Sequence, residues 1–460
     1  MAIKALVNET IAALATPPGL SGLAVLRLAG PKALSILSLF TNNLELKPRY
    51  AHHCRLFNPE NKEILDDVIL TWFKAPHSYS GDNLVEISCH GGFQSPKRIL
   101  KALISQGARM ALPGEFTRRA FINGKLDLLQ VESVADIIHG NSRRSHDLAE
   151  RNLKGELSHK IKTIKKTLID LASIIELELD FSDQDIEKSS SQNLSDILNK
   201  TLYEISSLLN TFDSGKLHRE GITLAIMGRP NAGKSSFLNA VLKENRAIIS
   251  DIPGTTRDTI EESFIHNDLL FNIIDTAGLR DSANEIEQAG IEKSYLSLEK
   301  ADFLLLIIDS NIESHYTIEH QLLKHTSLPA IILFNKIDKW NNVDKKRILK
   351  TIFKNIPSYF LSSKNSRDVV NFLDYLSNEL NKKYNLFSDG VSLSRQRHFD
   401  SLFQVQKDLQ VAISALNDGI SHDLISLDVR SAISHLDDLS GETRSEDILN
   451  NIFSQFCIGK

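Results

Sequence analysis

The stretch Gly228-Arg229-Pro230-Asn231-Ala232-Gly233-Lys234-Ser235 constrains this chain more than any other. It follows an apolar run, Ile222 to Met227, and precedes Phe237-Leu238-Asn239-Ala240-Val241-Leu242. That order predicts a strand, a glycine loop and a helix, the context in which a phosphate-binding loop works. Glycines let successive backbone N–H groups converge on phosphate oxygens, and the helix N-terminus adds its positive end. Lys234 is then expected to reach the β- and γ-phosphates, and the Ser235 hydroxyl to bind Mg²⁺.

Four further motifs follow in order: Gly254-Thr255-Thr256-Arg257-Asp258, Asp275-Thr276-Ala277-Gly278, Asn335-Lys336-Ile337-Asp338 and Ser362-Ser363-Lys364. Asp275 closes the apolar run Phe271-Asn272-Ile273-Ile274. A carboxylate there, joined to a glycine turn, suits a magnesium contact and a γ-phosphate contact from the Gly278 N–H. Alone it would read as an Asp-capped turn. Asn335 to Asp338 follow another apolar run, Ala330 to Phe334. The Asp338 carboxylate can accept two hydrogen bonds from one base edge. Guanine offers N1–H and N2–H₂ there and adenine offers neither; a buried Asp338 facing adenine would lose its partners, and such a site rejects the analogue by on the order of 10⁴. Ser362-Ser363-Lys364 alone is a polar turn, and it counts through its position. The ordered set predicts a domain that binds and hydrolyses GTP.

One expected group is missing. In Ras-type GTPases a Gln directly after the third motif orients the attacking water. That position is Leu279 here, which cannot hold water. Two candidates lie nearby: the amide of Asn231 inside the glycine loop, and the acidic stretch Glu285-Ile286-Glu287. From composition alone the acidic stretch reads as a solvated loop rather than a catalytic one.

A chain of 460 residues accommodates about three domains. Residues 1–120 mix short β-like runs (Gly22 to Leu28, Asp67 to Phe73, Leu84 to Ser88) with Gly/Pro turns, an α+β pattern. Residues 121–215 become helical. Leu153, Leu157, Ile161, Ile164, Leu168, Leu171 and Ile175 recur at threes and fours, predicting one long amphipathic helix that the polar stretch Ser182 to Asn193 breaks. Residues 216–383 carry the nucleotide motifs on an α/β pattern. Residues 384–460 are helical again from Arg395, through Phe399, Leu402 and Phe403, to Phe453. The economical organisation is an all-α domain interrupted by an inserted G domain. Its halves pack together because neither buries its apolar stripe alone.

Cys54, Cys89 and Cys457 show no paired spacing, which argues against a disulfide framework or a zinc site and for a reducing compartment. The N-terminal apolar stretch is broken by Pro17, Pro18 and Gly19, unlike a signal peptide. The run Phe303 to Ile308 is too short for a membrane span. A cytoplasmic protein is expected. Net charge is −5, so any nucleic-acid contact needs a local patch. Arg143, Arg144, Arg151, Lys154, Lys160, Lys162, Lys165 and Lys166 offer one, and equally form a solvated helical face. Asp180, Asp183 and Asp185 lack EF-hand spacing, and His90-Gly91-Gly92 lacks a nucleophile elbow and reads as a turn.

The glycine loop through Ser236, together with Asp251-Ile252-Pro253-Gly254-Thr255-Thr256-Arg257-Asp258, resembles the TrmE–Era class of GTPases. Ala15-Thr16-Pro17-Pro18-Gly19, Pro113-Gly114-Glu115-Phe116-Thr117, Asn123-Gly124-Lys125-Leu126-Asp127 and the final Phe456-Cys457-Ile458-Gly459-Lys460 narrow the resemblance, over essentially the whole chain, to the MnmE (TrmE) family of tRNA-uridine-modifying GTPases. The resemblance implies an N-terminal domain that dimerises and binds a one-carbon tetrahydrofolate (5,10-methylene, with the 5-formyl form as a further ligand). Its folate positions fall on Arg27, Glu86, Lys125 and Lys460. It implies a potassium ion in place of an arginine finger, held by Asn231, Thr255 and the backbone carbonyls of Ser250 and Ile252. Ser250 stands where the family often carries Thr, which a carbonyl ligand tolerates. Thr256 completes the magnesium shell with Ser235, and the water-orienting acid falls on Glu287. The implied activity is GTP hydrolysis coupled, with a flavin-containing partner (MnmG), to aminomethyl or carboxymethylaminomethyl addition at the wobble uridine of certain tRNAs. The remaining alternative is a GTPase switch in ribosome assembly without modification chemistry.

Overall fold

The computed structural model of the chain describes residues 8–42, 44–180, 191–245, 262–275, 298–311, 316–340, 345–354, 356–387, 390–443, 446–454 and 456–460. The chain divides into two compact units. One comprises Met1–Ala135, Leu153–Thr163 and Ile433–Lys460; the other comprises Asp136–Asn152 and Ile164–Ala432. Among the described residues no helix is long and apolar enough to cross a membrane.

The first unit is built on a six-stranded sheet. Its strands are β1 (Ile11–Leu14), β2 (Leu23–Ala29), β3 (Ala51–Phe57), β4 (Ile64–Phe73), β5 (Leu84–His90) and β6 (Arg109–Met110), in the order β3-β4-β5-β2-β1-β6. All neighbours run antiparallel except β1 and β6. Leu26, Leu28, Val68, Leu70, Val85 and Ile87 alternate with half-exposed residues, so one face is buried. Ile36 and Leu37 of α1 (Ala33–Ser38) and Ile99 and Leu103 of α2 (Gln94–Ser105) cover that face. The runs at Gly22, Asp67 and Leu84 lie in β2, β4 and β5. The sequence pattern passes over β3, an edge strand of which only Leu56 is buried. An edge strand with one apolar anchor leaves little period-2 signal.

Helix α3 (Glu115–Ile122) carries a buried charge network. Arg119 is 1 % exposed and reaches Glu115 at 3.2 Å and Asp82 at 3.4 Å. Arg109 clamps the same Glu115 through two bonds, at 2.6 and 3.0 Å. The end of the chain joins this unit: Leu449, Phe453 and Phe456 pack with Phe121, Leu128 and Val131.

The helical pattern resolves into α4 (Leu128–His139), α5 (Arg143–Leu153), α6 (Glu156–Asp180), α7 (Ser191–Leu209) and α8 (Phe212–Glu220). The single helix expected from Leu153 is two. Gly155 takes φ +90° and parts α5 from α6, so Leu153 ends one helix rather than starting the next. Residues 181–190, which hold most of the expected break and Asp183 and Asp185, lie outside the described residues.

The second unit contains a further six-stranded sheet. Its strands are β7 (Ile222–Met227), β8 (Glu262–His266), β9 (Leu269–Asp275), β10 (Phe303–Asp309), β11 (Ala330–Asn335) and β12 (Ser358–Phe360), in the order β12-β11-β10-β7-β9-β8. It is parallel except for β8, a doubly covered α/β sheet. One face is covered by Phe237 and Val241 of α9 (Lys234–Asn245) and Phe372 and Leu376 of α12 (Ser366–Tyr384). On the other face, Phe353 and Leu349 pack with Tyr316 against Leu304, Leu306 and Phe334, beside α10 (Thr317–His325) and α11 (Lys345–Ile352). After the sheet the chain returns as α13 (Gln396–Asn417) and α14 (His422–Ser440), and α15 (Glu446–Ser454) follows. Helix α13 runs along α7. Arg395 grips Asp136 at 2.6 Å, Gln406 donates to Ser206 at 2.8 Å, and Arg430 pairs with Glu176. The halves on either side of the insertion therefore pack together, as their separate apolar stripes require.

Burial pushes the Glu115 carboxyl up, but Arg109, the Leu112 amide and Arg119 outweigh it and hold it below the usual carboxylate range. A depressed folded value stabilises fully above the unfolded value of about 4.3 and is lost as pH falls through the folded one. We therefore expect the first unit to weaken in acid below about pH 4. Arg119→Met, which leaves Glu115 buried with Arg109 as its remaining cation, lowers its stability by about 1–3 kcal/mol. Urea unfolding at pH 7 and pH 3.5 checks both; an unchanged midpoint for Arg119→Met contradicts the network's role.

Candidate functional site

The glycine loop joins the end of β7 to the start of α9 and is shaped by backbone demands. Gly233 sits at φ +100°, and a Cβ there would lie 2.2 Å from the Asn335 amide nitrogen. A Cβ on Gly228 would lie 2.1 Å from the Ile307 carbonyl oxygen. Both positions need glycine on grounds of space as well as torsion. Asn231 also occupies the left-handed region, at φ +63°, which asparagine tolerates better than most residues.

The parallel order brings the ends of β7, β10 and β11 side by side, where ligands of α/β sheets bind. Asn335 closes β11 and is 1 % exposed. Its Nδ2 donates to the Ala232 carbonyl at 3.1 Å. Its Oδ1 accepts from the Ser363 amide at 3.0 Å and the Ser363 hydroxyl at 2.9 Å. One side chain thus ties the glycine loop to the Ser362-Ser363-Lys364 turn. Lys336 donates to the Asn231 carbonyl at 2.5 Å and to Asp309 at 2.8 Å. Burial pushes Asp309 up, but Lys336 and Asn311 hold it below the usual range. Lys234 donates to the Gly228 and Arg229 carbonyls, at 2.7 and 3.1 Å. With these carbonyls engaged and the Ala232 amide turned to the Arg229 carbonyl, the glycine turn at the start of α9 has the shape that fits a nucleotide phosphate chain.

Asp338 lies on a short 3₁₀ turn, Ile337–Lys339, and is exposed. Its Oδ1 accepts from the Ser362 hydroxyl at 2.7 Å, and that bond leads in holding its carboxyl below the usual range. It stays ionised and keeps acceptor capacity for a base edge. The burial expected around this carboxylate is not supplied by the protein alone. Lys364 donates its amide to the Ser362 hydroxyl at 3.4 Å, and Ser235 and Ser236 open helix α9 with their side chains exposed.

Several expected site residues fall outside the described residues: Ser250, Asp251, Ile252, Pro253, Gly254, Thr255, Thr256, Thr276, Ala277, Gly278 and Glu287. Asp275 ends β9 at its expected place. Sequence reasoning passed over Asp309 and Glu319, the acidic partners of Lys336 and Arg229. A carboxylate at the end of β10 was the available signal for Asp309; Glu319 left none.

In the first unit, β2 and β5 place Arg27 opposite Glu86, and the two form an ion pair at 2.9 Å. Arg27 also donates to the Gly459 carbonyl at 3.1 Å and lies over the Tyr79 ring at 5.6 Å. Lys460 is half-buried beside them; burial, then the Arg27 charge, pulls its ammonium below the ordinary lysine value, against Glu86. Two cations thus share one carboxylate, a donor set that fits an anionic ligand. Lys125 is exposed on the turn after α3 and makes no hydrogen bond or ion pair with these three.

Residues 10–125 match the family "GTP-binding protein TrmE N-terminus", and residues 128–457 match the MnmE helical domain. The chain is 35 % identical over 458 residues to the tRNA modification GTPase MnmE of Clostridioides difficile (strain 630), covering 99 % of this chain and 100 % of that protein. It is 36 % identical over 457 residues to the protein of that name from Natranaerobius thermophilus, covering 98 % and 100 %. It is 38 % identical over 463 residues to that from Salinibacter ruber (strain DSM 13855 / M31), covering 98 % and 99 %.

Asn335→Ala strands the Ala232 carbonyl and the Ser363 donors. We expect affinity for a fluorescent guanine nucleotide to fall at least about tenfold. Unaltered affinity in a binding titration removes Asn335 as the tie between the loops.

Proposed function

The chain belongs to the MnmE family of tRNA modification GTPases, and on that premise we propose that it works as a dimeric, potassium-dependent GTP hydrolase with a flavin-containing partner, MnmG, to install aminomethyl or carboxymethylaminomethyl groups at C5 of the wobble uridine of certain tRNAs in the cytoplasm. The hydrolysis and the tie to tRNA modification come with the family. The finer reading is supported above all by the glycine loop, Asn335 and Ser363 held in one hydrogen-bonded assembly beside Asp338.

In this reading the amides of Asn231 to Ser236 grip the phosphates and Lys234 leaves its two carbonyls for the β- and γ-phosphates. The Asp338 carboxylate selects guanine, with the Ser362 to Lys364 turn behind it. Ser235 and Thr256 would hold Mg²⁺, with Asp275 as a further contact and the Gly278 N–H reaching the γ-phosphate; Asn231, Thr255 and the carbonyls of Ser250 and Ile252 would hold K⁺. Bound there, the two ions offset charge that develops on the transferred phosphoryl group. Glu287 orients the attacking water, the task Leu279 cannot perform.

The first unit supplies a second site. Arg27 and Lys460 suit the carboxylates of a one-carbon tetrahydrofolate and Glu86 suits its aminopyrimidine edge, with Lys125 as a further cation. To take that edge, Glu86 exchanges its bond from Arg27 for bonds from the ligand. The folate contributes the one-carbon unit.

GTP turnover in potassium and in sodium tests the reading; equal rates remove the Asn231 assignment. Glu287→Ala is expected to retain GTP affinity and lose about 10²-fold in turnover, and full turnover leaves Glu287 a loop residue. Arg27→Ala and Lys125→Ala are each expected to abolish tetrahydrofolate binding in calorimetry of the full chain; wild-type binding by both moves the folate site elsewhere.

A further inference from the structure

Arg229 is the second residue of the glycine loop, yet its side chain is committed elsewhere. Its Nε lies 2.6 Å from one Glu319 carboxylate oxygen and its Nη2 lies 3.0 Å from the other, a two-point contact. Glu319 stands on α10 and is 3 % exposed, whereas Arg229 is 32 % exposed. A buried carboxylate that loses its cation is strongly penalised, so Glu319 holds the guanidinium firmly. The backbone of the same arginine shapes the cradle. Its carbonyl accepts from the Ala232 amide at 3.2 Å and from Lys234 at 3.1 Å. On the far flank, Lys336 and Asn335 hold the Asn231 and Ala232 carbonyls. Arg229 and Glu319 are therefore the loop's anchor on the α10 side, where they line a small cavity with Ala232, Asp309 and Tyr316.

The charge matters as much as the tether. A guanidinium presents a planar donor fork that binds phosphate strongly. Released from Glu319, the Arg229 head would compete with Lys234 for phosphate oxygens. A contact of that kind binds the ground state without being placed for the transition state, so it strengthens binding and slows turnover.

We propose that Glu319 is a positioning residue for GTP hydrolysis, clamping Arg229 to α10 so that this second loop cation stays out of the phosphate cradle and Lys234 is the one cationic side chain of the loop that meets the phosphates. The inference rests on the GTPase activity but not on potassium, folate or a partner.

Steady-state GTP turnover by the full chain tests it. Glu319→Gln is expected to lower kcat about five- to tenfold with KM unchanged or lower. A merely structural role would instead raise KM and lower the melting temperature. Adding Arg229→Met to Glu319→Gln is expected to bring kcat within about twofold of Arg229→Met alone, because without a guanidinium to hold, the loss of the carboxylate has no further effect. The inference is overturned by a Glu319→Gln kcat within about twofold of wild type, by a raised KM at constant kcat, or by single effects that multiply in the double variant. Should Glu319→Gln not fold, Arg229→Lys decides. It keeps the charge but not the two-point contact, so the same loss of kcat is expected and full kcat refutes the clamp. A wild-type chain without GTP turnover would instead refute the activity itself.

Discussion

The second unit depends on the hydrogen bonds of one buried amide. Asn335 spends its donor on the glycine loop, 103 residues away in sequence, and its acceptor on the serine turn, 28 residues away. A side-chain amide can do this because it offers both polarities in one plane. The parallel sheet makes the arrangement possible by aligning the ends of β7, β10 and β11. The fit has no slack, since a methyl group on Gly233 would overlap the Asn335 amide. Glycine loop and serine turn are therefore tied into one hydrogen-bonded assembly. Its flanks are Lys336 paired with Asp309 and Arg229 paired with Glu319.

Charge is handled differently in the two units. Around the glycine loop each flanking cation has its own acid. In the first unit the balance is uneven. Arg27 and Lys460 stand beside the single carboxylate of Glu86, and burial, then the Arg27 charge, pulls the Lys460 ammonium down. That imbalance is the physical reason to expect an anionic ligand there. A few residues away, Arg119 and Arg109 share Glu115 in a network that serves the fold rather than a ligand, because Arg119 and Glu115 are closed off from solvent.

Much of this was legible in the sequence. The glycine loop, Asp275, Asn335 to Asp338 and Ser362 to Lys364 each follow an apolar run that became a strand or lie beside one. Strongly apolar strands of a two-sided parallel sheet announce themselves, and motif residues sit at their ends. The edge strand Ala51–Phe57 announced nothing, since its side chains mostly face water. The helix periodicity holds from Leu157 to Ile175, but it could not show that Gly155 takes a left-handed turn and leaves Leu153 at the end of the preceding helix. Glu319 looked like any helical acid, and only its burial against Arg229 set it apart.

The sequence by itself determined which donors and acceptors each loop offers and the order of helical, α/β and helical segments. Contiguous residues carry that information, because backbone torsion and strand or helix periodicity are local. Tertiary structure alone decided which polar groups meet: Arg27 with the Gly459 carbonyl across 432 residues, and Arg229 with Glu319 across 90. It also decided that the last residues of the chain join the N-terminal sheet. Such pairings depend on distances through space, and no spacing along the chain encodes them.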